Sequence, residues 1–431
     1  MITQALLVVA LAAPGEPLVD TVKVDNVLAH LQAFQAIADA HGGNRAAGTP
    51  GYDASATYVA ARLREAGYSV ELQPFAFDFY RELAPGVVSS GKRKYGGVTT
   101  MAFSGNGSVS AAPQSARLGC TAGDFKTFTA GRIAIVNRGT CTFNEKARNA
   151  HTAGAVAVIV VNEEGTFAGS AGVPQPIPVV GVSAATGAKV AKAKKVKVVT
   201  KTESETRITH NVLAQTPGTG RAVMVGAHLD SRLEGPGIND NGSGSAAILE
   251  IATRLAKQPF ERPVRFAWWG AEEQGLLGST YYVSQLSPAE RKQIRYYVNL
   301  DMVGSKNHIY GIFDGDDSDN RGFGAGPKGS ARVERTFQRY FSKRGLPYTG
   351  ADFSGRSDYG PFVEAGIAAG GLFTGAEGLK TKKEAEQFGG QVGKPLDGCY
   401  HLACDDVKNV DRQVLDETTK AVASVITWLS T

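Results

Sequence analysis

The sequence has little of what marks disulfide-scaffolded, membrane-spanning or nucleic-acid-binding proteins. Only four of its 431 residues are cysteines, which is too few for a fold that depends mainly on disulfides. No apolar run is long enough to cross a bilayer as a helix. Basic residues exceed acidic residues by only five, and the short basic run at 192–195 is typical of a solvated edge. We therefore expect no membrane span and no nucleic-acid partner.

The N-terminus and the cysteines both indicate an oxidising compartment. The apolar stretch ALLVVALAA contains an A-x-A pattern, as in a secretory signal peptide, although no basic residues precede it. We expect residues 1–14 to be a signal or its remnant and the protein to be secreted. Cys120 lies near Cys141, and Cys399 near Cys404. Two local pairs without a spare favour disulfides, and four reduced core thiols are the alternative.

The chain is longer than one typical domain and changes character twice, so we expect two domains. In the first part, apolar residues at helical spacing predict helices over 28–38 and 52–66, the second capped by Gly67. The middle part is rich in Gly, Ser, Thr and Val. Residues 131–162 are predicted as strand, turn, helix and strand, and residues 177–190 as strand and helix.

The last part alternates strands with helices. Near-continuous apolar runs at 222–227, 264–269 and 296–300 are typical of parallel strands that are buried on both faces. A helix with apolar residues along one side separates the first two runs. This alternation predicts an α/β fold with a doubly wound, mixed but mostly parallel sheet flanked by helices.

Metal-binding side chains follow these strands, where ligands bind in an open α/β sheet. His228 follows the first strand, the adjacent Glu272 and Glu273 follow the second, and Asp301 follows the third. Histidine nitrogen and carboxylate oxygen are ligands that zinc binds readily. The whole set suits two zinc ions and predicts a two-metal hydrolase. The candidate ligands are His228, Asp240, one of the two adjacent glutamates, Asp301 and His401.

The neighbours of these ligands have their own expected roles. Because Glu272 and Glu273 are adjacent, their side chains diverge, so that one can bind a metal ion while the other faces the attacking water. Asp230, two residues after His228, can hold the second ring nitrogen of that histidine. Asp240 lies among glycines, where a carboxylate can bridge two ions. A single acidic residue at a strand end is more often a turn residue or a helix cap, so the prediction depends on the set.

The acidic loop 314–320 (DGDDSDN) is a second and weaker candidate for a cation site. Its carboxylates suit calcium, but their spacing misses that of an EF-hand loop. A solvated loop is the favoured interpretation.

The segments around the candidate ligands resemble the co-catalytic zinc aminopeptidases of metallopeptidase family 28 (clan MH). The resemblance covers residues 25–80 and 206–431 and implies their zinc peptidase fold. It rests on a specific combination of motifs, which are H-x-D at His228, G-x-N-D-N-G-S-G around Asp240, W-x-A-E-E-x-G-L-x-G-S from Trp269, N-x-D at Asp301, S-D at Ser357 and Y-H at Tyr400.

The resemblance implies a position for each ligand. His228 and Asp301 would hold one zinc ion, and Glu273 and His401 would hold the other. Asp240 would bridge the two ions, with a cis peptide bond directly after it.

Three further residues acquire roles from the same resemblance. Glu272 matches the general base, and Tyr400 matches a residue whose hydroxyl helps to stabilise the oxyanion. Arg356 matches an arginine placed near the substrate. A bond between Cys399 and Cys404 would close the small loop that carries Tyr400.

The middle part resembles a protease-associated (PA) domain that is inserted into the peptidase domain. The expected boundaries are 15–83 and 206–431 for the peptidase domain and 84–205 for the smaller, β-rich α/β PA domain. The resemblance as a whole implies a zinc aminopeptidase that acts on peptides or proteins with a free N-terminus. We also expect the protein to be a monomer.

Substrate and activity leave alternatives open. Phe353, Tyr359, Phe362 and Phe373 favour a hydrophobic first residue such as leucine, but the same residues can equally be core. Carboxypeptidases and glutaminyl cyclases share the scaffold and similar ligands, and transferrin-receptor-like proteins keep the architecture as binding or sorting proteins without enzymatic function. Carboxypeptidase action requires a cationic pocket, and the sequence indicates no arginine cluster beyond Arg356.

Overall fold

The computed structural model describes residues 18–256, 260–320 and 324–431. The signal expected at the N-terminus lies outside the described residues. The chain divides into two units. The larger comprises the chain up to Phe75 together with Thr209–Thr431, and the smaller comprises Ala76–Ile208. The domain boundaries expected from the sequence stay a prediction.

Helices and strands alternate through most of the described chain. The strands are β1 (Val70–Ser90), β2 (Arg93–Lys94), β3 (Val98–Thr100), β4 (Gly107–Ala111), β5 (Pro113–Ser115), β6 (Ile133–Asn137), β7 (Ala157–Val161), β8 (Val179–Val182), β9 (Val196–Gln215), β10 (Ala222–His228), β11 (Val264–Trp269), β12 (Ile294–Asp301), β13 (Gly311–Phe313), β14 (Thr349–Ala351) and β15 (Ala369–Phe373). The helices are α1 (Leu18–Thr21), α2 (Val24–Ala40), α3 (Pro50–Ala66), α4 (Phe143–Thr152), α5 (Ala184–Ala191), α6 (Gly244–Leu255), α7 (Leu277–Gln285), α8 (Pro288–Gln293), α9 (Ser330–Lys343), α10 (Tyr359–Glu364), α11 (Lys382–Phe388) and α12 (Arg412–Ser430).

The larger unit is built around a mixed sheet with the strand order β14-β13-β15-β12-β10-β11-β9. Strands β10, β11, β12 and β15 run parallel, with register pairs such as His228 with Trp269 and Asp301 with Phe373. Strand β9 is antiparallel to β11, and β13 is antiparallel to β15. The predicted α/β fold class, a mostly parallel sheet flanked by helices, is confirmed.

Both faces of this sheet are buried, so consecutive residues of a strand pack on opposite sides. Val225 of β10 belongs to the core that helices α2, α3, α6, α9 and α12 complete. Met224, its neighbour, packs on the other face with residues of α7 and α10. There Phe362 stacks on Tyr297 with ring centroids 3.8 Å apart. This double burial is why the central strands appear in the sequence as unbroken apolar runs.

The first two helices follow the apolar spacing of the sequence. Helix α2 buries Leu31 and Phe34, and helix α3 buries Val59 and Leu63. Gly67 ends α3 in the left-handed region at φ 102°, where the lack of a side chain makes glycine the usual cap. Both predicted helices are confirmed.

The smaller unit has its own sheet, with the strand order β3-β8-β7-β6-β5. Strands β5 to β8 run parallel in that order in space, and β3 is antiparallel to β8. Helix α4 begins at a capping box formed by Thr142 and Glu145 and buries Ala147 and Ala150. The strand, turn, helix and strand predicted for residues 131–162 are therefore present as β6, α4 and β7.

Both expected disulfides are present. Cys120 is bonded to Cys141 in the smaller unit, and Cys399 to Cys404 in the larger unit. Within residues 18–256, 260–320 and 324–431, no helix has the length and apolar character that crossing a bilayer requires.

A buried arginine holds the segment that follows β10. Arg45 lies between α2 and α3 with its side chain fully buried. Its guanidinium donates hydrogen bonds to the carbonyl oxygens of Leu229, Pro236 (2.9 Å) and Gly237 (2.6 Å), and the backbone N–H of Arg45 donates to Ser231 Oγ at 2.9 Å. Burial lowers the pKa of Arg45 to about 10, so the group remains charged at neutral pH. One side chain thus ties both ends of the loop between His228 and Asp240 to the N-terminal helices.

Replacing Arg45 by methionine tests this anchor. Arg45→Met removes the buried guanidinium that binds three carbonyl oxygens, and we expect a loss of about 3 to 5 kcal/mol in the free energy of unfolding. Denaturant unfolding measures it. Arg62→Met, which breaks an exposed pair with Glu65, is the matched control and should cost less than about 1 kcal/mol. Equal stability of the two variants would contradict the anchoring role.

A glycine in β15 allows this strand to approach β12 closely. Gly371 pairs with Asn299, and a Cβ atom at this position would lie 1.9 Å from the Asn299 carbonyl oxygen. Gly371→Ala should therefore cost at least about 1 to 3 kcal/mol in denaturant unfolding, since the two strands must separate. At Gly398, a Cβ atom would meet nothing within 4 Å, so Gly398→Ala should leave stability nearly unchanged. A neutral effect of Gly371→Ala would mean that the strands are not packed as closely as described.

Candidate active site

The parallel strands deliver the candidate ligands to one edge of the sheet. His228 is the last residue of β10, and Asp301 is the last residue of β12. Glu272 and Glu273 follow β11, which lies beside β10. Because these strands run in the same direction, their carboxyl ends lie side by side. The sheet thus brings together side chains that are far apart in sequence.

His228 lies at the centre of a first cluster. Its Nε2 atom is 3.2 Å from Asp240 Oδ1, 3.4 Å from Asp301 Oδ1 and 3.8 Å from Glu272 Oε2. His228 is 1% exposed, so this cluster is closed to solvent on the histidine side.

His401 forms a second cluster with the other side of the same aspartate. Its Nε2 atom is 3.1 Å from Asp240 Oδ2 and 3.3 Å from Glu273 Oε2. Asp240 therefore presents one oxygen to each cluster, and the peptide bond between Asp240 and Asn241 is cis. The ring of His401 is stacked on that of Tyr400, with centroids 3.7 Å apart.

The spacing of these atoms fits bound zinc. Two ligands of a tetrahedral zinc ion with bonds of about 2.0 to 2.1 Å lie roughly 3.3 Å apart. The two histidine nitrogens lie 3.1 to 3.4 Å from the oxygens of Asp240, Glu273 and Asp301, whereas Glu272 lies farther from His228, at 3.8 Å. Moreover, Asp240 Oδ2 and Glu273 Oε1 are buried without a hydrogen bond of acceptable geometry. Buried carboxylate oxygens normally have a partner. Ions shared by these ligand atoms would satisfy both oxygens.

Burial and mutual repulsion govern the charges of the site. Burial raises the pKa of Glu272 well above its usual range and that of Glu273 to about 7. Burial alone would also raise the pKa of Asp240, but the imidazoles of His228 and His401 outweigh it and hold that pKa below its usual range. Burial opposes the charge of His401, yet contacts with Asp240 and Glu273 raise its pKa to about 9. A cluster of this kind attracts cations.

Asp230 orients the two glutamates. Its carboxylate accepts hydrogen bonds from the backbone N–H groups of Glu272 (3.1 Å) and Glu273 (3.3 Å). The closest acceptor for His228 Nδ1 is the carbonyl oxygen of Asp230 at 3.1 Å, while the carboxylate lies 3.7 Å away. The predicted hold of Asp230 on the second ring nitrogen of His228 stays a prediction, and the sequence did not indicate the hydrogen bonds to the loop after β11.

A buried chain of hydrogen bonds ends on Asp301. Trp269 Nε1 donates to the Tyr297 hydroxyl, which donates to Asn299 Oδ1. The Asn299 amide donates to Ser357 Oγ at 2.8 Å, and Ser357 donates to Asp301 Oδ2 at 2.5 Å. Asp301 Oδ1 is thereby left to face His228. Such supporting contacts fix the orientation of a metal ligand.

A second buried carboxylate supports Asp240 from behind. The Asp405 carboxylate accepts hydrogen bonds from the backbone N–H groups of Asn239 and Asp240, with nitrogen–oxygen distances of 2.9 Å in both. The Asn409 amide donates to both Asp405 and Asp397. Neither Asp405 nor Arg45 was predicted as part of the site, because each binds backbone atoms of a distant segment and leaves no motif.

Tyr400 and Arg356 lie at the edge of the second cluster. Arg356 Nη2 is 3.4 Å from the Tyr400 hydroxyl, and its Nη1 atom is 2.8 Å from Glu377 Oε1. Burial raises the pKa of Tyr400 above its usual range, so its hydroxyl is a hydrogen-bond donor at neutral pH. The loop that carries it is closed by the bond between Cys399 and Cys404.

Both clusters open into one cavity of about 610 Å³. Its apolar lining includes Met302, Ile309 and Phe313 together with Tyr359 and Phe373. Two of the four aromatic candidates therefore face the cavity.

The other two aromatic candidates are packed elsewhere. Phe362 is fully buried against Tyr297, and Phe353 stacks on Phe313. Arg232, which the sequence did not single out, also lines the cavity.

The acidic loop has an internal explanation. Asp314 accepts hydrogen bonds from the backbone N–H groups of Asp316, Ser318 and Asp319. Its carboxylate thus closes a turn of its own chain, in line with the favoured interpretation of a solvated loop, although carboxylates of Asp317 and Asp319 also lie within reach of a shared cation.

Comparison with known proteins places the chain in a family. Residues 211–426 match the model of peptidase family M28, and residues 106–190 match that of the PA domain. An aminopeptidase of Pseudomonas aeruginosa is 44% identical over 95% of this chain and 81% of its own length. Leucine aminopeptidase 2 of Trichophyton tonsurans is 36% identical over 95% of this chain and 84% of its own.

A solved structure agrees with the sequence matches. BSAP, a zinc aminopeptidase from Bacillus subtilis, superimposes with a TM-score of 0.63 at 28% identity, over 94% of this chain and 95% of its own. The chain therefore belongs to peptidase family M28, and its residues 106–190 match the PA domain.

Proposed function

We propose that the protein is a zinc-dependent aminopeptidase that hydrolyses the first peptide bond of peptides or proteins. The observation that carries the proposal is the double contact of Asp240, which faces His228 with one oxygen and His401 with the other. In this proposal His228 and Asp301 would hold one ion, Glu273 and His401 would hold the second, and Asp240 would contribute to both. Zinc ions at these positions would lower the pKa of water and polarise the substrate carbonyl.

Glu272 is the general base in this proposal. It lies at the rim of the His228 cluster, and the loop that carries it is fixed by Asp230. Burial raises its pKa, which brings a carboxylate closer to the range in which it can both accept and return a proton. Glu272 takes the proton of the attacking water and later gives it to the departing amine.

Tyr400 and the carboxylates complete the assignment. The Tyr400 hydroxyl, held beside Arg356, would donate a hydrogen bond to the oxyanion that forms at the scissile carbonyl. The acidic surroundings favour a protonated α-amine, which supports cleavage at the N-terminus rather than inside a chain. A hydrophobic first residue such as leucine fits the apolar lining with Tyr359 and Phe373, and a relative named leucine aminopeptidase supports this preference.

We further propose that the protein acts as a secreted monomer. Both disulfides suit an oxidising compartment outside the cytosol.

Glu272→Gln separates proton transfer from metal binding. The amide cannot accept a proton, so the turnover of leucine p-nitroanilide should fall by about 100- to 10,000-fold, while the zinc content stays at the wild-type value. Glu364→Gln, an exposed glutamate at the end of α10, is the control and should retain full activity. Near-normal turnover by Glu272→Gln would remove Glu272 from its role.

Metal removal tests the proposed centre. After dialysis, elemental analysis should find about two zinc ions per chain, and a chelator should abolish hydrolysis of aminoacyl anilides until zinc is restored. His401→Ala should lower the content to about one ion, whereas His151→Ala, an exposed histidine of the smaller unit, should not. Undiminished hydrolysis after chelation would contradict the proposal. So would release of a C-terminal residue, or cyclisation of N-terminal glutamine, in place of anilide hydrolysis.

A further inference from the structure

We propose that Arg232 binds a carboxylate in the part of the substrate that leaves, so that the protein prefers short peptides with a free C-terminus or an acidic residue just after the scissile bond. This inference rests on the proposed aminopeptidase function and adds a substrate class to it.

The position of Arg232 is fixed at the wall of the cavity. Its Nη1 atom donates a hydrogen bond to the carbonyl oxygen of Glu273 at 2.9 Å, and its side chain is 39% exposed. The backbone before it is held by Arg45, through the carbonyl of Leu229 and the hydroxyl of Ser231. A guanidinium that is held in this way loses little conformational entropy when it binds an anion.

The charge balance leaves Arg232 available to the substrate. The carboxylate nearest to it is that of Glu273, with Nε 3.7 Å from Oε2, and this oxygen also faces His401. If Glu273 binds a metal ion as proposed, the negative charge of its carboxylate is neutralised by that ion and not by Arg232. Arg356 differs, because Glu377 is its counter-ion at 2.8 Å. Arg232 is thus the better of these two arginines for an added carboxylate.

The two sides of the cavity differ in character. The apolar residues Phe313, Tyr359 and Phe373 suit the first side chain of the substrate. Arg232 lies on the Glu273 and His401 side, where it also borders a small recess. A peptide whose first side chain occupies the apolar end can extend its remaining residues past this side. A planar guanidinium matches a carboxylate in geometry as well as in charge.

The experiment compares substrates that differ only in one charge. The efficiency kcat/KM is measured for Leu-Ala and its C-terminal amide, and for Leu-Glu amide and Leu-Gln amide. The first pair tests a terminal carboxylate, and the second tests an acidic side chain. We expect the charged member of at least one pair to be preferred by roughly 5- to 30-fold, with a smaller preference at high salt.

Variants identify the residue that is responsible. In Arg232→Gln, the kcat/KM of the charged substrate should become about equal to that of its uncharged partner. Arg232→Lys should retain part of the preference for the charged substrate, and Arg232→Glu should prefer the uncharged one, as expected for a charge contact. A ratio within one preparation is insensitive to a change in metal content. Arg339→Gln, an exposed arginine beside Trp428, is the control and should leave the ratio unchanged.

A binding measurement provides a readout that does not depend on turnover. Calorimetry with the reduced-bond analogue Leu-ψ[CH2NH]-Ala and its amide should show the same preference for the acid in the wild-type protein and its loss in Arg232→Gln. Equal ratios in the wild-type protein and Arg232→Gln, or loss of the preference in Arg356→Gln instead, would overturn the assignment. If none of the four peptides is cleaved at its first bond, the proposed function itself fails.

Discussion

Four carboxylates, those of Asp240, Glu272, Glu273 and Asp301, converge on one edge of the sheet, and their mutual repulsion is the constraint on which the rest of the site depends. Each is held by groups that are themselves buried or tied to backbone. Asp405 and Asp230 accept hydrogen bonds from the backbone N–H groups of three of these four residues. Ser357 donates a hydrogen bond to the carboxylate of the fourth, Asp301. These hydrogen bonds keep the four carboxylates together despite their repulsion, and two cations would neutralise their charge.

The larger pattern was readable from the sequence for a physical reason. Parallel strands buried on both faces leave unbroken apolar runs, and the residue after each run lies at the carboxyl edge of the sheet. The sequence therefore predicts that His228 and Asp301 lie at one edge of the sheet. The disulfides were equally accessible, since each joins cysteines that are close in sequence. The PA insertion has a motif of its own in the sequence, and a family match to residues 106–190 agrees with it.

The supporting residues were not predictable in the same way. Arg45 binds carbonyls that lie more than 180 residues further along the chain, and backbone oxygens carry no sequence signal. Asp405 also acts on distant partners, and the S-D motif at Ser357 does not indicate which residue the Ser357 hydroxyl contacts. Aromatic residues posed a related difficulty, because Phe362 and Phe373 look alike in sequence, yet one is core and the other lines the cavity. Pocket and core differ only in what packs opposite them.

The interrupted course of the larger unit also affects how the protein is made. Helices α2 and α3 precede Phe75, whereas their packing partner α6 lies beyond Thr209. During synthesis, the apolar faces of these helices emerge well before the strands and helix that will cover them. Contacts between elements that are far apart in sequence slow folding and prolong the exposure of apolar surface that can aggregate. The whole smaller unit is synthesised between the two parts of the larger unit. Because it has its own apolar cores, it can fold before the residues that cover α2 and α3 have been made.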